Sequence, residues 1–366
     1  MLFDLILLTI LIVMAAIQLL YYLLVFRRVN LFKANEEAFS PAVSVIVCGF
    51  NEAKNFEKLI PKLLEQNYST FEIIIVNDQS NDHTKFVLKP FEDHPLVKIV
   101  TIPLEVKKNP GKKFALSLGI KAAKYEYLLL TDADCEPKNT DWIACMSSGF
   151  SSKKEIVLGY GGYEKRKGFL NKLVRFDTLQ IALQYFSFAL ISKTYMGVGR
   201  NLAYKKSLFF ENKGFASHLH IPSGDDDLFI REVANKHNTT IVVDKSSHTT
   251  SEPKTSYLSW IKQKTRHFST STLYSTDLKI LLGLFSLSQF FYWFSFIFLI
   301  VLQENLMLVS IIFLVKSGVQ YFVYFPFLKK MEEKDLALPL VILDLALILF
   351  NIMFSFLNLI KRKKSW

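Results

Sequence analysis

Cysteine is scarce in this chain of 366 residues: Cys48, Cys135 and Cys145 are all there are, no two form a CxxC pair, and they make no disulfide framework. A reducing compartment fits that usage. No GxGxxG and no GxxxxGKS/T loop occurs, so a phosphate-bearing ligand has to be held by a metal and basic side chains. The middle of the chain lacks a basic stripe interleaved with aromatics, which sets nucleic acid aside as a partner. A basic n-region is missing ahead of the first apolar run, and that run is too long for a signal-peptide core. Acidic residues are the minority, 33 against 44 Lys and Arg, and the net charge of +11 is accounted for by cations flanking membrane spans. Apolar residues are abundant. At 51% hydrophobic and a mean hydropathy of +0.24, the chain is neither disordered nor a simple soluble protein.

The apolar residues concentrate at the two ends. Leu2 to Phe26 is nearly unbroken, long enough at ~1.5 Å per residue to cross a ~30 Å hydrocarbon core. Arg27 and Arg28 follow it, which predicts an uncleaved anchor with the next domain on the cytoplasmic side. Three more candidate spans lie at 280–302, 306–328 and 336–360. Four full spans would put the basic tail Lys361-Arg362-Lys363-Lys364 outside. Either one segment is re-entrant or interfacial, or the early charges have already fixed the orientation. Lys316, Asp344 and Asn351 interrupt these runs, and packing between helices accounts for such polar groups first.

The middle, roughly 245 residues, is large enough for one sizeable domain or two small ones. It alternates β-rich runs (43–48, 71–76, 97–102, 127–130) with helical spacing over 52–65 and 114–123, the pattern of a mostly parallel sheet covered by helices. Ligands bind outside the carboxyl ends of such strands, and carboxylates stand there: Asp78 after one strand, Asp132 and Asp134 after another.

Asp132 and Asp134, one residue apart at a strand end, suit a hard divalent cation, Mn2+ or Mg2+, that also holds phosphate oxygens; the bland alternative is a solvated turn. Asp78 would cap a turn or accept from a nucleoside. Lys112 belongs to a basic turn or offsets diphosphate charge. Asp225, Asp226 and Asp227 open a helix; they complement its dipole or supply a general base to an acceptor hydroxyl. Gln263 to His267 lies on a basic stretch that is an interfacial helix or brings Arg266 to a departing diphosphate.

In this order the motifs resemble the family 2 inverting glycosyltransferases, in the membrane-integrated branch related to processive polysaccharide synthases. Ser44 to Glu52 is similar to the family's opening strand and nucleotide loop, Asn77-Asp78-Gln79-Ser80 to its Asp-Asp-x-Ser, and Gly111 to Leu116 to its Gly-Lys-x-x-Ala-Leu. Asp132-Ala133-Asp134 resembles its metal-binding motif, and Gly199 to Tyr204 its acceptor-side loop. Two motifs depart from the pattern: the family's Glu-Asp reads Gly224-Asp225, and Gln-x-x-Arg-Trp reads Gln263 to His267, without the indole on which an acceptor sugar stacks. The resemblance covers about residues 42–272.

It implies an α/β, GT-A (Rossmann-like) catalytic domain over 40–256, between an anchor at 1–28 and an interfacial segment at 257–278, three spans over 279–360 and a basic tail at 361–366. It implies a nucleotide-diphosphate sugar, UDP-linked by preference, against Asn51, Glu52, Asp78, Lys112 and Asp132, and a divalent cation on Asp132 and Asp134. Asp225 is the implied base, with Asp226 one residue away as the alternative, and Arg266 faces the leaving diphosphate. Asn201, Tyr204, Asp227, Gln263 and His267 fall on the acceptor side. The acceptor would be a lipid or lipid-linked glycan, and the enzyme an integral protein of the bacterial inner membrane with its catalytic domain cytoplasmic. Against this stand a catalytically silent membrane scaffold of the same fold, and a transporter, for which the spans are few and the insert unexplained.

Overall fold

The structure is a computed structural model that describes residues 2–34, 39–106, 111–221, 223–271 and 273–362; the side chains of 104, 267–271 and 355–362 lie outside that description. It resolves into two compact units, Lys33–Lys165 with Phe188–Pro253, and Met1–Phe32 with Arg166–Ser187 and Lys254–Trp366. Residues 166–187 thus group with the terminal helices although they fall inside the 40–256 stretch predicted for the α/β domain.

The first unit is built on β1 (Val43–Gly49), β2 (Phe71–Asn77), β3 (Val97–Thr101) and β4 (Tyr127–Asp132), which run parallel in the order β3-β2-β1-β4. These strands read as continuous apolar runs because both faces are covered. On one face Val45, Val47, Ile73 and Ile75 pack with Phe56, Leu59 and Leu63 of helix α1 (Ala53–Leu64). On the other, helix α2 (Lys112–Ala122) approaches so closely that a Cβ at Gly119 would lie 2.8 Å from Ile46 Cγ2 and 2.9 Å from Val76 Cγ2. Each fully buried Val, Ile or Leu contributes about 1.5–3 kcal/mol.

The sheet then departs from the parallel pattern. β8 (Leu202–Lys205) pairs antiparallel with β4, and β6 (Ile156–Leu158) and β9 (Thr239–Ile241) extend the edge. A second sheet of three short strands, β5 (Cys135–Pro137), β10 (Thr249–Ser251) and β7 (Gly161–Tyr163), begins directly after Asp134. Helix α3 (Asp227–Val233) starts at the row of aspartates.

In the other unit, three helices among the described residues are long and apolar enough to cross a membrane: Leu2–Leu31, Thr276–Val301 and Leu306–Lys330. The third C-terminal run forms helix Leu340–Arg362, whose described apolar part is Leu340–Phe354. Leu7, Leu11 and Ala15 pack against Tyr292, Trp293 and Leu299. Lys316 and Asp344 are both buried and paired at 3.2 Å; Lys316 also donates to Gln320 (2.8 Å), and Asp344 accepts from Gln289 and Trp293 Nε1, each at 3.0 Å. The pair ties three helices together. Removing one partner strands a buried charge, so Lys316→Met is expected to cost about 3–5 kcal/mol, and the double variant Lys316→Met/Asp344→Leu to recover most of it. Thermal midpoints in detergent check this; a double variant no more stable than the single contradicts it.

Helix Phe169–Leu190 belongs to this unit as far as Ser187, and that part is held by charge. Buried Arg175 pairs with Glu333 and Asp335, and Asp177 with Lys264 at 2.8 Å. Lys264 belongs to helix Tyr257–Ser271, which also carries Gln263 and the exposed Arg266. The side chain of His267 and the tail beyond Arg362 lie outside the described residues.

Candidate active site

The carboxyl ends of β1, β2 and β4 meet at one edge of the parallel sheet. The two loops after β1 and β2 are zipped together. Asn51 N–H donates to Ser80 Oγ (2.9 Å), Asn51 Oδ1 accepts from Asn81 N–H (2.9 Å), and Asn77 Oδ1 accepts from Ser80 N–H (3.2 Å). Asn51 sits at φ 59°, a left-handed conformation that asparagine tolerates better than most residues. Asp78 is buried beside these loops, its N–H bonded to Gly49 O at 2.8 Å. Glu52 follows; burial, with Asp134, Asp132 and Asp82 adding to it against the Asn55 hydrogen bond, raises its carboxyl above the usual range.

Lys112, the first residue of α2, is the hub. Its ammonium pairs with Asp132 at the end of β4 and with Asp225 Oδ2 at 3.1 Å. Burial works against the charge, yet Asp132, Asp225 and Asp226 prevail and hold the lysine well above its ordinary value. Burial likewise opposes charge on Asp225, but Lys112 keeps its carboxyl below the usual aspartate range. Asp226 goes the other way: burial first, then Asp225 and Asp227, push it up to about 7. Both its oxygens are committed to backbone, accepting from Gly199 N–H and Asp227 N–H at 2.8 Å each. A Cβ at Gly199 would lie 3.0 Å from Lys112 Nζ, 3.6 Å from Asp226 Oδ2 and 3.8 Å from Asp225 Oδ2, so these three groups line one small space. Asp227, also buried, accepts from Leu228 N–H at 2.8 Å.

The pKa of Asp226 has a consequence for stability. A free aspartate loses its proton near ~3.9, so between that value and about 7 the native state binds a proton that the unfolded state does not. Stability then falls as pH rises through that window. Asp226→Asn is expected to flatten the fall in thermal midpoint from about pH 5 to about pH 8, measured in EDTA; equal slopes in variant and wild type contradict the assignment.

Asp132, Asp134 and Cys135 each place one potential ligand atom within 4.8 Å of the others. Cys135 is buried, and burial, with Asp132 and Asp134 adding, pushes its thiol well above the usual value; it donates to Asp134 Oδ1 at 3.4 Å. Sulfur is a soft donor, whereas the two carboxylates offer the hard oxygens that Mg2+ or Mn2+ takes. The residues fit such a cation.

Two side chains predicted for the acceptor side are buried. Asn201 is fully buried: its Nδ2 donates to Tyr160 O (2.9 Å) and Ser247 O (2.6 Å), and its Oδ1 accepts from Trp142 Nε1 (3.1 Å). That amide braces the loop against the core and has no surface to offer a ligand. Tyr204 is fully buried in β8, its ring packed on Phe229 with centroids 5.0 Å apart. The site also has a neighbour that motif spacing did not single out. Lys113 turns away from Lys112 into a buried cage formed by His218 and Ile221.

A family model described as glycosyl transferase family 2 matches residues 44–211. Poly-beta-1,6-N-acetyl-D-glucosamine synthase of Staphylococcus epidermidis is 33% identical over 109 residues, 30% of this chain and 25% of the synthase. The protein of the same name from Staphylococcus aureus (strain COL) is 32% identical over 93 residues, 25% of this chain and 21% of that one. The matched stretch thus spans a quarter or less of these relatives. Among solved structures, mannosyltransferase PcManGT from Pyrobaculum calidifontis, in complex with GDP-Man and Mn2+, superposes with a TM-score of 0.57 at 20% identity, covering 93% of this chain and 99% of that one. That likeness shows the fold. Residues 44–211 are thus similar to glycosyl transferase family 2, and the chain has a GT-A-like α/β core accompanied by apolar helices at both ends of the sequence.

Proposed function

We propose that the protein is a membrane-bound, inverting glycosyltransferase that moves a sugar from a nucleotide-diphosphate donor to a lipid-linked or glycan acceptor, with its catalytic domain on the cytoplasmic side of a bacterial inner membrane. One observation carries this reading: a single lysine, Lys112, joins the carboxylate that ends β4 to the first carboxylate of the row at 225–227. A diphosphate entering between them meets a cation already in place, and an acceptor hydroxyl meets a carboxylate beside it.

Asn51, Glu52 and Asp78 would face the nucleoside, and Asp132 and Asp134 would hold a divalent cation. When bound, that cation supplies Lewis-acid neutralisation of the diphosphate. Lys112 adds a point charge to the same oxygens. Asp225 takes the proton of the acceptor hydroxyl as its oxygen bonds to the anomeric carbon. The bond from that carbon to the diphosphate breaks with its electron pair leaving on the nucleotide, and the configuration inverts. Asp225 suits the base because Asp226 spends both oxygens on backbone N–H groups. The donor is UDP-linked by the resemblance of the motifs, and the GDP-Man held by the P. calidifontis enzyme puts GDP-sugars in the same test.

The test is nucleotide release by detergent-purified protein returned to its own lipid extract, over a panel of UDP- and GDP-sugars with Mn2+, Mg2+ or EDTA. Release from one donor, lost in EDTA, is the expected result. Release that persists undiminished in EDTA contradicts the role given to Asp132 and Asp134.

A further inference from the structure

Lys113 is buried, 3% exposed, one residue after the hub lysine. Its ammonium has three hydrogens and three acceptors: His218 Nδ1 at 2.6 Å, His218 O at 2.6 Å and Ile221 O at 3.1 Å. Since Nδ1 accepts, the proton of the imidazole is on Nε2, which faces Glu232 Oε2 at 3.6 Å. Glu232, on α3, also accepts from Ser217 Oγ (2.7 Å) and Asn212 Nδ2 (3.0 Å). The described part of the segment so gripped runs from Gly214 (φ 63°) to Ile221, and Phe215 within it is also buried against the rings of Phe209 and Phe229. Asp225 lies four residues beyond Ile221. Burying a lysine in a cage of carbonyls is costly unless every donor is met, and here every donor is met by one turn of this segment.

We propose that Lys113 is a positioning residue of the transferase: it clamps residues 214–221 to α2, so that Asp225, a few residues on, is held at a fixed place against Lys112 without Lys113 touching either substrate. This rests on the function proposed above. Two adjacent lysines then divide the work. Lys112 faces the diphosphate and the carboxylates, and Lys113 faces the loop that delivers the base.

The test compares Lys113→Met, His218→Ala and His218→Asn with Asp225→Asn in the purified full-length protein. An asparagine oxygen at 218 reaches the place of Nδ1, so His218→Asn retains the clamp, whereas His218→Ala loses the ring acceptor. Expected are a fall in kcat of ~10²-fold for Lys113→Met, a smaller fall for His218→Ala, and near wild-type turnover for His218→Asn. Donor KM and the binding of Mn2+ with UDP or GDP stay within about two-fold, because Lys112, Asp132 and Asp134 are untouched. Hydrogen exchange supplies a readout independent of activity: amides 216–221 lose protection in Lys113→Met and His218→Ala and keep it in His218→Asn. Wild-type kcat in Lys113→Met, unchanged exchange, or loss of nucleotide binding together with turnover overturns the clamp. If Lys113→Met keeps turnover while Asp225→Asn loses it, the clamp alone fails; if Asp225→Asn keeps turnover, the assignment of the base fails.

Discussion

Asp225→Asn is expected to lower turnover by ~10²–10⁴-fold, the usual contribution of a positioned general base, while metal-dependent nucleotide binding is retained. The substitution is nearly isosteric and its amide oxygen still accepts from Lys112, which lies 3.1 Å from Asp225 Oδ2, so the local packing survives. It cannot take a proton. Neutralising this carboxylate also removes a competitor for Lys112, so the affinity for UDP or GDP stays the same or rises. Loss of kcat with intact binding places Asp225 at the chemical step. Wild-type turnover in Asp225→Asn together with a dead Asp226→Asn would move the base to Asp226 and its proton near pH 7.

Asp134→Ala is expected to fail earlier, at donor binding. With one of two hard ligands gone, affinity for nucleotide in the presence of Mn2+ should drop by ~10²-fold or more, whereas the weak metal-free affinity stays as it was. Cys135→Ala is the matched control. Cys135 is the third potential ligand and a neighbour of Asp134, but sulfur is a poor match for a hard cation, so its loss should leave metal-dependent binding within about three-fold of wild type. Titration of Mn2+–UDP and Mn2+–GDP against the three proteins separates the cases. Equal losses in both variants would mean that the thiolate is a ligand after all and that the cation is a softer one.

The parallel half of the sheet was legible because buried parallel strands are continuous runs of Val, Ile and Leu, and Val43 to Cys48 or Phe71 to Val76 can hardly be anything else. The carboxylates at the strand ends were legible for the same reason: once β4 is placed, Asp132 and Asp134 fall at its carboxyl end. β5, β7 and β10 were not. Three residues each, Cys135-Glu136-Pro137 among them, are too short to show alternation, and their pairing is fixed by partners about a hundred residues away. The burial of Asn201 and Tyr204 was hidden for a related reason. They follow a glycine-rich turn that reads as a ligand loop, but β8 begins at Leu202 and its pairing with β4 and β6 draws both side chains into the core. Lys113 shows the opposite failure. Beside Lys112 it reads as part of a solvated basic turn, and nothing local announces that His218, 105 positions on, encloses it. Buried Arg175 is the same case in the helical unit, its partners Glu333 and Asp335 lying about 160 residues later.

Transfer of labelled sugar is the most direct test of the central claim, that the Lys112-centred site activates a nucleotide sugar against an acceptor hydroxyl. Labelled UDP- and GDP-sugars are given to the purified wild-type protein, Asp225→Asn and Asp134→Ala in their own lipid extract with Mn2+. The account predicts that wild type moves label from one donor into a lipid or glycan product with one nucleotide released per sugar, and that EDTA or either substitution stops it. Intact donor in the wild-type sample, with no binding of Mn2+–UDP or Mn2+–GDP by the same preparation, would contradict it.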